Sequence, residues 1–351
     1  MLTKELIKNF DKSNMFDEIK NMYKQIQSSI KIIDDFDVSS IKINKTIPSN
    51  KYDSILVCGM GGSAIGGDFV KAVISQEVKL PIYINRDYNL PSWVNKKTLV
   101  FICSYSGNTE ETISCYKQII KLNFTPIVIS TGGYLLKDAI KNNFLTIKMP
   151  KGIQPRAAFG YSSALLLLSL VKMNILKSDY LNQLEGSVKA LKIISNNLSN
   201  FTKDNLAVKL AYQIKDKLPI IYGTPLTNIV SVRFRGQLAE NSKILSFHNV
   251  YPELNHNEIE GFVKLNGDFI LISIKDLNDN KPILKRMNYT SDILSNVKEK
   301  FEYEEKGDNY LERLYKSIAF FDWVSFYLSI LNEIDPSPVN NIIKLKKAMS
   351  E

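Results

Sequence analysis

The sequence predicts an α/β protein built on two parallel sheets, each covered by helices on both faces. Continuous β-branched runs recur from Asp53 onward: SILVC (54–58), PIYIN (81–85), TLVFIC (98–103), TPIVIST (125–131) and FLTIKM (144–149). Helical stretches separate them. The same alternation returns with PIIYGT (219–224), ILSFHN (244–249) and FILISIK (269–275). Strands that are apolar throughout need cover on both faces, which is the signature of parallel sheets wound from strand–helix–strand units.

Length supports two such domains, since 351 residues, 44% of them hydrophobic, exceed what one core usually encloses. Residues 1–45 carry helical spacing (Leu2, Leu6, Phe10, then Ile19, Met22, Ile26, Ile30) and are expected to form an N-terminal helical extension. A first domain is expected over 46–180. The polar, Asn-rich stretch 178–204 holds the boundary, and a second domain fills 205–351. It closes with a long helix, Tyr310–Ile334, a break at Asp335-Pro-Ser-Pro338 and a terminal helix from Val339.

Composition narrows the function. The net charge of +9 is spread along the chain and not gathered into a basic tail, so nucleic-acid binding is not expected. The three cysteines, Cys58, Cys103 and Cys115, are odd in number and lack CxxC spacing. Neither a disulfide framework nor a zinc site is expected, and a reducing cytoplasm fits. The N-terminus is too charged for a signal peptide, and the longest apolar run, Ala164–Val171, is too short for a bilayer. The expectation is a soluble protein without membrane contact.

Two turns carry the first chemical signal. After SILVC comes Gly59-Met-Gly-Gly-Ser-Ala-Ile-Gly-Gly67, where glycines let the chain leave a strand sharply and bring backbone N–H groups to a helix start. It has the spacing of a dinucleotide fingerprint, but Asp87 is poorly placed as the ribose acid, and no P-loop lysine is present. After TLVFIC comes Ser104-Tyr-Ser-Gly-Asn-Thr-Glu-Glu111, again a hydroxyl-rich turn before a helix. Thr109 there reads equally well as an ordinary helix cap. Ligands of open α/β sheets sit beyond the strand carboxyl ends, so the two turns converge on one crevice and favour a compact phosphate over a dinucleotide.

Four further stretches bear reactive groups. Gln154-Pro-Arg-Ala-Ala-Phe-Gly-Tyr161 sets Arg156 on a loop at the binding edge, where a plain surface charge is the alternative. Arg233-Phe-Arg-Gly-Gln-Leu-Ala-Glu-Asn-Ser-Lys243 reads as a helix with Gly236, Ala239, Glu240 and Lys243 on one face. A partly buried Glu240 there suits a general base, while an exposed Glu paired with Lys243 is the alternative. Pro252-Glu-Leu-Asn-His-Asn-Glu-Ile-Glu-Gly261 contains His256 among polar residues, where a structural histidine is the alternative, and His248 lies within a strand pattern as a structural histidine. In the terminal helix Val339, Ile342, Lys346 and Met349 share a face, which sets the Lys346 stem among apolar side chains; Lys344 is its rival.

GMGGSAIGGD after one strand and SYSGNTEET after a second resemble the sugar isomerase (SIS) domain. The full order GGS, SYSGNTEE, PRAAFGY, RGQLAENSK, ELNHNEIEG and a C-terminal LKK resembles the bifunctional phosphoglucose/phosphomannose isomerase family over nearly the whole chain. The resemblance implies two SIS domains of flavodoxin-like sandwich form and a homodimer. It implies an active site between domains, with His256 supplied by the neighbouring subunit. The phosphate would be held by Gly62, Ser63, Ser104, Ser106 and Thr109. Glu240 would move a proton between C2 and C1 of a sugar 6-phosphate, Arg156 would stabilise the enediolate, and His256 with Lys346 would open the ring. No cofactor and no metal are implied. Ser337 departs from the family pattern, which has a threonine before the second proline. A non-catalytic SIS regulator would need none of the reactive residues, and an NAD-dependent oxidoreductase would leave SYSGNTEE without a purpose.

Overall fold

The computed structural model describes residues 2–35, 52–75, 77–202 and 204–350. In chain order the elements are α1 (Lys4–Phe10), α2 (Met15–Lys20), α3 (Met22–Asp34), β1 (Ser54–Cys58), α4 (Gly61–Ile74), β2 (Ile82–Asn85) and β3 (Thr98–Ser104). There follow α5 (Glu110–Lys121), β4 (Ile127–Ser130), α6 (Gly133–Lys141), β5 (Leu145–Lys148), α7 (Phe159–Lys172), α8 (Asp179–Leu198) and α9 (Leu206–Ile214). The last third holds β6 (Leu218–Gly223), α10 (Asn228–Gln237), β7 (Phe247–Val250), β8 (Phe269–Lys275), α11 (Lys281–Ile293), β9 (Glu299–Glu304), α12 (Tyr310–Leu331) and α13 (Asn340–Ser350). The elements gather into two compact units, Asn21–Lys192 and Met1–Lys20 with Ile193–Glu351.

The first unit carries a five-stranded parallel sheet in the order β2-β1-β3-β4-β5. Strands β1, β3 and β4 are buried at every residue, as their unbroken apolar sequences require. Leu56, Val100, Ile102 and Val128 of these strands pack with Tyr116 and Ile119 of α5 and Leu135 and Ala139 of α6. From β1 the chain crosses to β2 on one side and then returns to β3 on the other. The loops after β1 and β3 therefore part company and leave a crevice between them, the place where such sheets bind ligands.

The second unit carries a four-stranded parallel sheet, β7-β6-β8-β9. Its core is α12, in which Trp323, Phe320, Phe321 and Phe326 are buried among aromatic neighbours. Buried charge on α12 is paired: Asp322 takes two hydrogen bonds from Arg233 of α10, at 3.0 and 2.7 Å, and one from Gln237 at 3.1 Å. Burial raises the Asp322 carboxyl above its ordinary range, and the Arg233 charge opposes that rise.

Two sequence expectations change. The N-terminal helices do not form one extension, because α1 and α2 join the second unit and α3 the first. Phe16 stacks edge-on against Trp323 at 4.9 Å, whereas α3 lies along α7. Residues 36–51, including the end of the expected extension and the start of the expected first domain, lie outside the described residues. Strand β9 was absent from the expected set. EKFEYE alternates charge with aromatic residues because it is an edge strand with one covered face, where Tyr303 stacks on Phe320 at 4.4 Å.

Candidate active site

Helices α4 and α5 both begin at the crevice between β1 and β3, so their first-turn N–H groups and positive dipole ends face the same place. The hydroxyls of the two turns accept backbone bonds there. Ser63 Oγ accepts from Tyr105 N–H at 3.2 Å, Ser104 Oγ from Gly107 N–H at 3.1 Å and Ser106 Oγ from Asn108 N–H at 3.2 Å. A hydroxyl has one donor and two acceptor sites. With an acceptor site used, the protons of Ser63 and Ser106 remain to donate to an anion. Ser104 Oγ and Thr109 Oγ1 lie 2.9 Å apart and share one proton, which leaves the other to donate. Thr109 occupies the N-cap position of α5 but makes no side-chain cap bond, its hydroxyl being turned to Ser104.

Close backbone approach shapes the turn. Gly107 has φ +69°, and a Cβ on it would stand 1.9 Å from the Gly132 carbonyl oxygen, so a side chain there would expel the loop that follows β4. A Cβ at Gly62 would stand 2.8 Å from the Pro155 carbonyl oxygen and 3.5 Å from the Arg156 Cα. Gly62 thus lets the Arg156 loop close on the start of α4. Arg156 is only 5% exposed, which removes the reading of it as a surface charge. Gln25 of α3 grips the following turn, donating to the Ala157 carbonyl at 2.9 Å and accepting from Gly160 N–H at 3.0 Å. The cysteines ending β1 and within β3 are not nucleophile candidates; Cys103 is buried, and burial pushes its thiol up to about 12.

In the second unit, Glu240 is half-buried. Helix α10 stops at Gln237, and Leu238–Ser242 is wound as a π-helix ending at Lys243 with φ +57°. The shared α-helical face expected for Gly236, Ala239, Glu240 and Lys243 is therefore not formed. The turn is fixed from below: Asn241 Nδ2 donates to Ser325 Oγ at 2.9 Å and Ser242 Oγ to the Ser325 carbonyl at 2.7 Å. Lys243 Nζ donates to the Glu240 carbonyl and, at 3.2 Å, to the Pro336 carbonyl. Lys243 thus ties the main chain of the Glu240 turn to the DPSP segment, with Ser337 buried.

His256 ends a 3-10 turn, Glu253–His256, and is exposed. The segment is pinned on either side of it. Leu254 is wholly buried in the core cluster with Tyr222 and Tyr251. Glu258 accepts from the Tyr222 hydroxyl at 2.8 Å and from Asn249 Nδ2; Tyr222 and Asn249 are partners across β6 and β7. His248 is half-buried, and burial with the Arg235 charge lowers its pKa. Lys346 does not lie among apolar side chains as expected: residues 341–349 of α13 are all exposed, Ile342, Leu345 and Met349 included. Lys344 and Lys346 are alike in this.

The loops at the β6/β8 crossover use their polar groups differently. Thr227 Oγ1 donates to the Ile274 carbonyl at 2.6 Å, and Thr224 N–H donates to Thr227 Oγ1 at 2.8 Å. After β8, Asp276 is gripped by Arg313 through two bonds of 2.8 and 2.9 Å and accepts from Asn278 N–H at 2.9 Å. Asp279 Oδ2 accepts from Asp276 N–H at 2.7 Å.

The geometry agrees with what sequence comparison returns. The chain is 37% identical over 344 residues to the bifunctional phosphoglucose/phosphomannose isomerase of Caldicellulosiruptor bescii, an alignment spanning 96% of this chain and 99% of that one. The chain belongs to the bifunctional phosphoglucose/phosphomannose isomerase family. A second member, from Aquifex aeolicus, is 33% identical over 86% of this chain and 91% of its own. The family described as bacterial phospho-glucose isomerase C-terminal SIS domain matches residues 203–349. The C-terminal domain of glucosamine-fructose-6-phosphate aminotransferase from Francisella tularensis has the same fold, with a TM-score of 0.73 at 16% identity over 93% of this chain and 98% of that one.

Within this phosphoglucose/phosphomannose isomerase frame, sequence reasoning missed the residues that hold the site in place. Gln25 lies in a helix that looked like a peripheral addition, and its only sequence signal is a polar residue on an apolar stripe. Thr131-Gly132-Gly133 supports the Ser104–Thr109 turn: Thr131 N–H and Oγ1 donate to the Tyr105 carbonyl at 3.1 and 2.7 Å. Its paired glycines at a strand end were the available signal.

Proposed function

We propose that the protein interconverts glucose 6-phosphate and mannose 6-phosphate with fructose 6-phosphate through a cis-enediol. The observation that carries this reading is the convergence of two hydroxyl-rich turns, two helix starts and the Arg156 loop at one sheet crossover. Such a place suits a compact dianion bearing a small reacting group better than an extended cofactor.

The phosphate is remote from the chemistry and serves to orient the reacting carbons. Ser63, Ser104, Ser106 and Thr109, with the backbone at Gly62, are assigned to it. Glu240 is assigned as the base that takes the C2 proton of the open aldose. The electrons of that C–H bond form the C1–C2 double bond, and the C1 oxygen gains a proton. Returning the carried proton to C1, while the C2 hydroxyl gives up its own, yields the ketose. Arg156 is assigned to stabilise the charge that develops on the enediol oxygens. Both aldoses give one enediol, so one base serves both epimers after rotation about C2–C3.

Ring opening is assigned to His256 and, with it, Lys346. The exposure of His256 on a pinned turn supports its serving a neighbouring copy of the chain in a homodimer. Three free cysteines support a cytoplasmic setting.

The test is Glu240→Gln, which keeps shape and removes the base. Isomerisation of both 6-phosphates should fall about 10³-fold, while inorganic phosphate or a sugar-acid phosphate binds within a few-fold of wild type. Near-normal turnover would remove Glu240 from the chemistry.

A further inference from the structure

Tyr105 stands between Ser104 and Ser106, and its atoms reach three other loops. Its N–H donates to Ser63 Oγ, 3.2 Å away in the turn after β1. Its carbonyl accepts from Thr131 N–H and Oγ1, after β4. Its phenol oxygen accepts from Ile153 N–H at 3.2 Å, after β5, in the loop that runs into Arg156. The contacts to Ser63 and Thr131 are made by backbone and survive substitution. The contact to Ile153 is made by the side chain.

The first part of that loop draws little of its position from packing, which resumes at the buried Arg156. Pro150, Lys151 and Gly152 are exposed, Gly152 has φ +107°, and a Cβ there would meet nothing within 4 Å. Segments with few buried contacts take their placement from hydrogen bonds. Among its ties are Met149 N–H to the Ser130 carbonyl at 2.9 Å at its start, Gln25 at its end and, between them, Tyr105 at Ile153.

We propose that Tyr105 is a positioning residue for isomerisation: its phenol oxygen, by holding Ile153, sets Arg156 relative to the turns that bind the phosphate. Phosphate binding and charge stabilisation are then mechanically joined through one side chain. This rests on the role given above to Arg156. Because Ser63 is held by the Tyr105 backbone, and Ser104 and Ser106 by the N–H groups of Gly107 and Asn108, removing the phenol oxygen leaves these hydroxyls in place and loosens the arginine loop at Ile153.

The experiment is Tyr105→Phe, in single and double combination with Arg156→Ala. In Tyr105→Phe, kcat for fructose 6-phosphate should fall about tenfold, the order expected when a charged group is displaced by a fraction of an ångström. KM and the inhibition constant of inorganic phosphate should stay within about twofold, and Tyr105→Phe should add no further loss to Arg156→Ala. Three results overturn the proposal. Wild-type turnover in Tyr105→Phe beside an inactive Arg156→Ala overturns it alone, as does a rise in KM and in the phosphate inhibition constant with kcat unchanged. Undiminished turnover in Arg156→Ala overturns the role of Arg156 and this inference with it.

Discussion

Each sheet has a crossover where the chain goes one way from its first strand and comes back on the other side, between β1 and β3 in one unit and between β6 and β8 in the other. At the first, serine hydroxyls accept from backbone N–H groups and keep protons to give. At the second, Thr227 gives its proton to a main-chain carbonyl, and Asp276 and Asp279 supply negative charge that Arg313 and backbone donors absorb. Both loops are rich in polar side chains and both start helices. What separates the two corners is the direction of the hydrogen bonds: donors that are to face an anion must not already be committed to the fold.

The largest effect expected of this contrast is on stability. Arg313→Ala leaves the Asp276 carboxylate buried without its partner and should cost about 3–5 kcal/mol, read from the denaturant midpoint. Phosphate affinity of the folded protein should not change. A loss of affinity comparable to that of a β3-turn variant would break the contrast. Ser104→Ala should act the other way round, weakening phosphate binding about 10- to 100-fold, as expected for a hydrogen bond to a charged group, with a small change in midpoint.

The smallest effect concerns pH. Burial raises the Asp279 carboxyl above its ordinary 3.8, the nearby Asp276 and Glu304 charges adding to the rise while hydrogen bonds from the Asp276 backbone and Thr224 oppose it. A carboxyl raised in the folded state contributes stability that is fully present below its unfolded value and lost as pH climbs through the folded one. Asp279→Asn should therefore melt slightly higher than wild type at pH 7, and the gap should close on acidifying toward about pH 4. A gap that widens in acid would mean the carboxylate is held by the fold and not merely tolerated.

The strands of the first sheet were legible because burial on both faces erases alternation, and SILVC or TLVFIC admits few other readings. EKFEYE was not, since an edge strand writes only one face in apolar residues. The two hydroxyl-rich turns were legible because glycine and hydroxyl residues at a strand end are a local pattern. Glu240, His256 and Arg156 took their roles from resemblance to a family, and sequence spacing alone set them level with an exposed glutamate, a structural histidine and a surface arginine. The burial of Arg156 depends on Gly62, a residue distant in sequence, and the grip of Gln25 on Ala157 spans two helices. No local pattern encodes such contacts. Lys346 was misread because an amphipathic helix predicts that something covers its apolar face without saying that the same unit does.

The turn that carries Glu240 holds one residue more than an α-helical turn would. Deleting Ala239 would leave an ordinary α-helical turn there and move Glu240 off its present place while the helix before the gap keeps its register. The crevice in the other unit would keep its hydroxyls. A chain with that single gap would keep the polar turns of one sheet and lose the present placement of Glu240 beside the other, so one codon separates the two features.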